Sequence, residues 1–228
     1  MKSRKRIIIA ILFDFFVGVL GLIGTIAQTF GADAEGNLSF HGLSLYRFFT
    51  TDGNVYATIV ALLGIVFGIL DLVKEQEKER NWLYGLLLAS VFGETVILLV
   101  VPLVLSPMMG GFLWLYASFY LFNFHFFMPL LVLVRFLFFT KAPSAFKKKW
   151  AWVGGATIWV YGIAVLIPIF LKVWTKANGL IPYPFLYVYE NPWYMTVFFI
   201  VLLLGGSIGL GYLFHFLNHA IGKKLKKE

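Results

Sequence analysis

The 228-residue sequence contains no cysteine. Disulfides, thiolate metal sites and a cysteine nucleophile are therefore excluded. Charge is also scarce. Only 13% of the residues are Asp, Glu, Lys or Arg, against about 25% in a typical soluble domain. Acidic residues are the rarer sign, 11 against 19 basic ones, which leaves a net charge of +8. That balance does not point to nucleic acid, because the basic residues form short clusters between apolar runs, where lipid headgroups would meet them. Neither an internal repeat at a solenoid period nor a low-complexity tract is present.

What the chain has in abundance is apolar surface. Hydrophobic residues make up 60% and the mean hydropathy is +0.85. One soluble core of this length has no room for them, so lipid is the expected solvent. A hydrocarbon layer about 30 Å thick needs roughly 20 apolar residues in a helix. Six stretches qualify: Ile7–Ala27, Tyr46–Val73, Trp82–Leu105, Phe112–Phe139, Trp150–Leu171 and Trp193–Leu217. The expected fold is all-α, a single six-helix transmembrane domain over residues 1–228, multi-pass in the cell membrane with membrane lipids as its surroundings. Trp82, Trp150, Trp152 and Trp193 fall near span ends, where amphipathic rings prefer the interface. The basic start, Met1–Arg6, lacks a small-residue cleavage site after the apolar run and predicts a retained first helix.

Lys and Arg set the expected orientation. Fifteen lie on one side: Lys2, Arg4, Lys5 and Arg6; Lys74, Lys78 and Arg80; Lys141, Lys147, Lys148 and Lys149; Lys223, Lys224, Lys226 and Lys227. Three lie on the other, Arg47, Lys172 and Lys176, and Arg135 sits inside a span. Both termini are thus expected on the cytoplasmic side. The segment Lys74–Arg80 reads as a solvated turn whose role ends with topology. The two longest connections, Gln28–Leu45 and Lys172–Pro192, fall outside.

Ionisable groups inside spans are costly and turn toward the protein interior. Depth can be counted at 1.5 Å per residue from the basic ends. Asp14 and His215 then lie roughly 12 Å in, Arg135 about 9 Å, Glu94 roughly 21 Å and His125 roughly 24 Å. The lower layer predicts an Asp14–Arg135 pair. The upper layer holds a carboxyl and an imidazole near mid-membrane. On span two, Thr50, Asn54, Ala57, Ala61, Gly64 and Gly68 fall within about 40° of one line, a small-residue face suited to close helix approach. Thr51 is turned about 100° from it. On span four, Ser118, His125, Pro129 and Val132 share a face. Gly18, Gly21 and Gly24 of the first span and Gly205 and Gly209 of the last are expected to serve packing.

Phe49-Thr50-Thr51-Asp52-Gly53-Asn54 resembles the F-T-x-x-x-N signature of small bacterial six-helix membrane proteins. These are related to the eukaryotic androgen-induced proteins, atypical integral membrane hydrolases with a threonine and a histidine at the active site. His125-Phe-Phe-Met-Pro129 resembles the family's H-x-x-x-P motif, and Tyr183-Pro-Phe-Leu186 its Y-P-F-L stretch. The chain departs from the pattern at Asp52-Gly53, where Gln-Ser is more usual. It departs again at Arg135, near where members often carry an acid. The resemblance implies a hydrolase of lipid esters with Thr50 as nucleophile and His125 as base, acting on a lipid-like substrate without cofactor or metal.

A threonine hydroxyl needs a base to take its proton, and neutral imidazole is the usual partner. Glu94 could orient that ring. Asn54 either bonds a neighbouring helix or positions substrate, and Ser118 joins Asn54 and Glu94 as a binding or orienting candidate. Straight helices would leave Thr50 about 12 Å higher than His125. Thr58 matches the depth of His125 but points about 80° off the face. His215 and His219 have a spacing that can hold a metal, although a headgroup or helix contact suits them better. His41 falls in an outer connection. The alternative function is a small-solute-binding transporter subunit, for which Glu94 and the Asp14–Arg135 pair leave room.

Overall fold

A computed structural model describes residues 3–32, 38–40, 44–105, 111 and 119–225. The described chain is helical apart from one small ribbon. Helix α1 is Ser3–Thr29, α2 is Phe49–Val73, and α3 is Asn81–Val100, continued by a π-helical turn over Val101–Leu105. Helix α4, residues 119–139, is assembled from Phe119–Phe122, a π turn at Asn123–Phe127, Met128–Val134 and a second π turn at Arg135–Phe139. Helix α5 is Lys148–Phe170, entered through 3-10 turns, and α6 is Trp193–Leu225. Five of these, all but α4, are long and apolar enough to cross a membrane. Residues 112–118, the start of the fourth expected span, lie outside the described residues.

The ribbon lies in the Gln28–Leu45 connection. Strand β1, Phe30–Ala32, pairs antiparallel with β2, Leu38–Phe40, with Phe30 opposite Phe40. Three residues per strand are too few for hydrophobic alternation to show in the sequence.

Helices α1 and α2 pack antiparallel through small residues. A Cβ added to Gly18 would meet Leu62 at 3.3 Å, one at Gly21 would meet Thr58 at 1.8 Å, and one at Gly68 would meet Ile11 at 2.7 Å. Gly24 opens onto the Phe124 ring at 2.2 Å in the same way. The small-residue face of α2 is buried from Thr50 to Gly64, as its spacing requires. Gly205 and Gly209 behave otherwise and meet nothing within 4 Å among the described residues. The close approach on α6 comes at Gly211, where a Cβ would stand 2.4 Å from Ala151 O. A glycine marks a helix contact only where a partner crosses that face, and α6 leaves most of its length exposed, with Val197, Phe198, Val201, Leu202 and Phe216 uncovered. Helix α3 is the central one. Its most apolar window is 61% buried against 17% for α6, and Tyr84, Leu88, Val91, Phe92 and Glu94 are all fully enclosed.

Asp14 and Arg135 meet as the depth count predicts. Arg135 Nε and one terminal nitrogen donate to the two Asp14 oxygens, each at 2.8 Å, and both residues are buried. Gly64 makes room, since a Cβ there would stand 2.3 Å from Asp14 Oδ2.

The Lys74–Arg80 turn does more than separate two helices. Glu77 pairs with Arg6 of α1, Glu79 pairs with Lys141 at 3.0 Å, and Arg80 bonds Asp71 at 2.8 and 3.0 Å. Glu79 also accepts from the Ser144 hydroxyl at 2.7 Å and its N–H at 2.8 Å. The turn therefore clasps α1 to the α4–α5 connection. These pairs gather the start of α1, the α2–α3 turn and the α4–α5 connection at one end of the bundle. The C-terminal part of α6 joins them through Asn218, which donates to Phe136 O and Thr140 O.

Two outcomes test this arrangement. Asp14→Leu strands the Arg135 guanidinium and is expected to cost about 3–5 kcal/mol, most of which the double variant Asp14→Leu/Arg135→Met recovers; denaturant melts in detergent measure both. The Ser144 and Lys141 contacts hold the Glu79 carboxyl down to about 2 from its ordinary 4.5. A depressed carboxylate stabilises above its unfolded value and loses that contribution as pH falls toward its folded one. The Tm difference between the parent and Glu79→Gln should thus be present at neutral pH and close between pH 4.5 and about 2.

Candidate functional site

Thr50 lies in the first turn of α2, whose N-terminus is capped from outside the helix. The residue before that turn, Phe48, is extended and offers no side-chain cap. Instead the Phe49 N–H donates to the Tyr183 hydroxyl at 3.1 Å, satisfying one of the donors a helix start leaves open. The Thr50 and Tyr161 side chains flank the same phenol. Tyr161 in turn donates to Arg47 O at 2.7 Å, and Arg47 donates to Gly179 O at 2.9 Å. The Tyr183–Leu186 stretch therefore packs on the Thr50 turn. Tyr161 was not singled out by its position in an apolar span, and only its hydroxyl hinted at a polar neighbour.

The three candidate hydroxyls differ in their company. Thr51 accepts from Gln28 Nε2 at 3.2 Å, and Thr58 donates to Asn54 O of its own helix at 2.7 Å while pressing on Gly21. Thr51 is as buried as Thr50 despite its different direction, because α1 covers that side. Thr50 is the one that faces the Tyr183 hydroxyl.

His125 lies in the π turn Asn123–Phe127 of α4. Pro129 causes that widening. It has no N–H to offer His125 O four residues back, and its ring crowds that carbonyl. The chain admits an extra residue, and Met128 N–H bonds Asn123 O five residues back. The imidazole is buried, and its Nδ1 stands 2.8 Å from Leu121 O. A carbonyl only accepts, so Nδ1 carries the hydrogen and a neutral ring keeps its lone pair on Nε2.

Asn54 joins the two turns. It is fully buried, and its amide donates to Thr50 O at 2.6 Å and across to Phe124 O at 3.1 Å. The helix-bonding alternative for Asn54 is thus realised, while its Oδ1 has no partner among the described residues. This bond also sets levels. Asn54 is abreast of Phe124, so Thr50, four residues on, stands about 6 Å beyond the His125 level, half the offset of straight helices. Thr50 and His125 are not hydrogen-bonded to each other among the described residues; Asn54 spans the interval.

Glu94 is completely buried on α3, and neither carboxyl oxygen has a hydrogen-bond partner among the described residues. It faces α2, where a Cβ on Gly53 would lie 3.9 Å from its Oε1. The Nδ1 position that a triad-like carboxylate would occupy is taken by Leu121 O. Ser118 and His41 lie outside the described residues. His215 and His219 stack edge-on with ring centroids 4.5 Å apart, and His215 Nδ1 shares a 2.9 Å bond with the Tyr84 hydroxyl, a helix contact. Among the described residues no three of His, Asp and Glu converge on a metal position.

No family model, no curated protein and no solved structure matches the chain. The bond that ties the two motif turns can be tested by itself. Asn54→Ala removes both amide bonds and leaves buried Phe124 O without this donor, which is expected to cost about 1–3 kcal/mol. Thermal melts in detergent should show the loss, whereas Asn81→Ala, at the exposed start of α3, should shift Tm little.

Proposed function

We propose that the chain is a six-span integral membrane protein with both termini on the cytoplasmic side, and that it hydrolyses lipid esters with Thr50 and His125. In this reading α4 is the remaining span, continuing upstream of its described part. The basic clusters assign the clasped end of the bundle to the cytoplasm. The observation that carries the chemistry is the His125 ring, whose Nδ1–H is fixed on Leu121 O. That leaves Nε2 as the proton acceptor, about one turn from the level of Thr50. The F-T-x-x-x-N and H-x-x-x-P resemblance supports the same two residues.

The reaction balances with one water. Thr50 Oγ gives its proton to Nε2 and attacks the ester carbonyl; the leaving alkoxide takes the proton and departs as alcohol. Water then gives a proton to Nε2 and attacks the acyl–threonine ester. Thr50 Oγ leaves, recovers that proton, and the carboxylic acid is released. Tyr183, beside Thr50 and already accepting from the Phe49 N–H, holds the turn that presents the hydroxyl. For this to proceed, the two turns must close the remaining separation when substrate binds, a tightening that unliganded sites commonly need.

The transporter-subunit reading has one specific observation in its favour, the Glu94 carboxyl buried without partner among the described residues. A fluorophosphonate probe separates the two. Labelling of the parent in detergent is expected to fall to background in Thr50→Ala and His125→Ala and to persist in Thr51→Ala, with melts confirming that each variant folds. A parent that takes no label, or a Thr50→Ala variant that keeps it, would sink the hydrolase assignment.

A further inference from the structure

At the clasped end of the bundle a cavity of about 100 Å³ opens between α1, α2, α3 and α4, lined among others by Arg6, Glu77, Arg80, Tyr84, Leu87 and Arg135. Deeper along the axis lies a second cavity of about 10 Å³, where Asp14, Ser90 and Arg135 stand in an otherwise apolar wall that includes Val60, Ala61, Leu87 and Phe136. Leu87 and Arg135 belong to both, so the two spaces are neighbours, with Arg135 of the Asp14–Arg135 pair in the wall they share. The smaller space is near the threshold of about 10–15 Å³ that holds one water. Asp14, Ser90 and Arg135 are polar partners for such a water, where an apolar void of this size would stay dry.

Helix α3 continues the line. Tyr84, Leu87, Ser90 and Glu94 recur at three- and four-residue spacing and so share one face. Tyr84 and Leu87 border the outer cavity, Leu87 and Ser90 the inner one. Glu94 is the next position on that face, about 6 Å further along the axis. Its two oxygens are buried acceptors without a hydrogen-bond partner among the described residues. A polar face that starts in a wet vestibule and ends at an unsatisfied carboxyl has the layout of an aqueous route. Sealing helices would need only apolar side chains there.

We propose that this face of α3 lines a one-ended pathway carrying water and protons from the vestibule, past the Asp14–Arg135 pair, to the Glu94 carboxyl. The pathway goes beyond the hydrolase assignment and holds whether or not Thr50 reacts. At that pair water passes by exchanging hydrogen bonds with Arg135 and Asp14 rather than by crossing hydrocarbon.

The absence of native cysteine makes the test clean. Single variants Ser90→Cys, Ala61→Cys and Glu94→Cys are reconstituted in sealed vesicles with silver ion, comparable in size to water, on one side at a time. Reaction is scored as loss of later maleimide labelling after denaturation. The thiolate, which forms where water reaches the sulfur, binds the silver ion. Lys78→Cys, in the exposed clasp, identifies the vestibule side. Ile59→Cys, on the lipid-facing surface of α2, is the dry control. All three buried thiols are expected to react from the vestibule side alone, and Ile59→Cys from neither. Silence of Ser90→Cys and Ala61→Cys, or reaction from the opposite side, overturns the pathway. Reaction of these two with a silent Glu94→Cys overturns its proposed terminus. Silver reaction without fluorophosphonate labelling of the parent leaves the pathway standing and removes the hydrolase; the converse removes the pathway alone.

Discussion

Arg135 reaches from α4 to Asp14 on α1 through two parallel N–H···O bonds of 2.8 Å, and the bundle is arranged around that contact. Neither charge is tolerable alone in apolar surroundings. The carboxylate fits only because position 64 of α2 has no side chain. One ion pair thus fixes three helices at once. It sets the distance between α1 and α2, and the small-residue contacts at Gly18, Gly21 and Gly68 follow in the same antiparallel register. It also sets the height of α4, and with it which α4 carbonyl lies abreast of Asn54. The Asn54–Phe124 contact, about 15 Å up the bundle, would not hold its register if the helices below could slide by a turn.

The two polar layers follow different rules. In the lower layer every strong group has an answering one. Arg135 meets Asp14 and Thr140, Arg80 meets Asp71, Tyr84 meets His215, and Asn218 meets Phe136 O and Thr140 O. In the upper layer both Glu94 oxygens and the Asn54 and Asn123 carbonyl oxygens lack partners among the described residues. Arg47 Nε, a donor, and the Thr95 and Thr196 hydroxyls are buried without partners there as well. Leaving a buried acceptor unmade costs about 1–3 kcal/mol in a protein, so a layer built only for stability would have filled them or replaced them with leucine.

Composition and periodicity made the helical class and five of the six candidate spans legible, because burial in lipid requires long uninterrupted apolar runs. The Asp14–Arg135 pair was legible for a similar reason: depth in a membrane can be counted in residues, and two opposite charges at one depth have little choice. The face of α2 was legible because a regular helix repeats its direction. Four features were not. The clasp at Lys74–Arg80 depends on which solvated charges sit opposite it, and nothing in the run itself says that. Gly205 and Gly209 look like Gly18 and Gly21, but the distinction lies in the neighbour. The Tyr183 cap joins residues 134 positions apart. The π turn at His125 breaks the uniform 100° rotation, so directions assigned upstream of it by counting do not carry across. Pro129 was the visible sign, since a missing N–H four residues after the histidine forces some local adjustment.

The His125 contact has a consequence for the order of chemical events. A carboxylate on Nδ1 would both orient the ring and offset the charge of an imidazolium. Leu121 O orients it equally well but carries no formal charge. In a low-dielectric interior a neutral carbonyl offsets less of an imidazolium's charge than a carboxylate would. Under the proposed hydrolysis, the proton taken from Thr50 is therefore passed on quickly rather than resting on Nε2. The cheapest course is for the imidazolium to form beside the developing oxyanion, each charge serving as the other's counter-ion, and for the proton to move on to the leaving alkoxide as the carbonyl re-forms. Under that same proposal, ester leaving groups poised to accept a proton at once are favoured over slow collapse through a long-lived charged intermediate. That preference comes from the neutral partner on Nδ1.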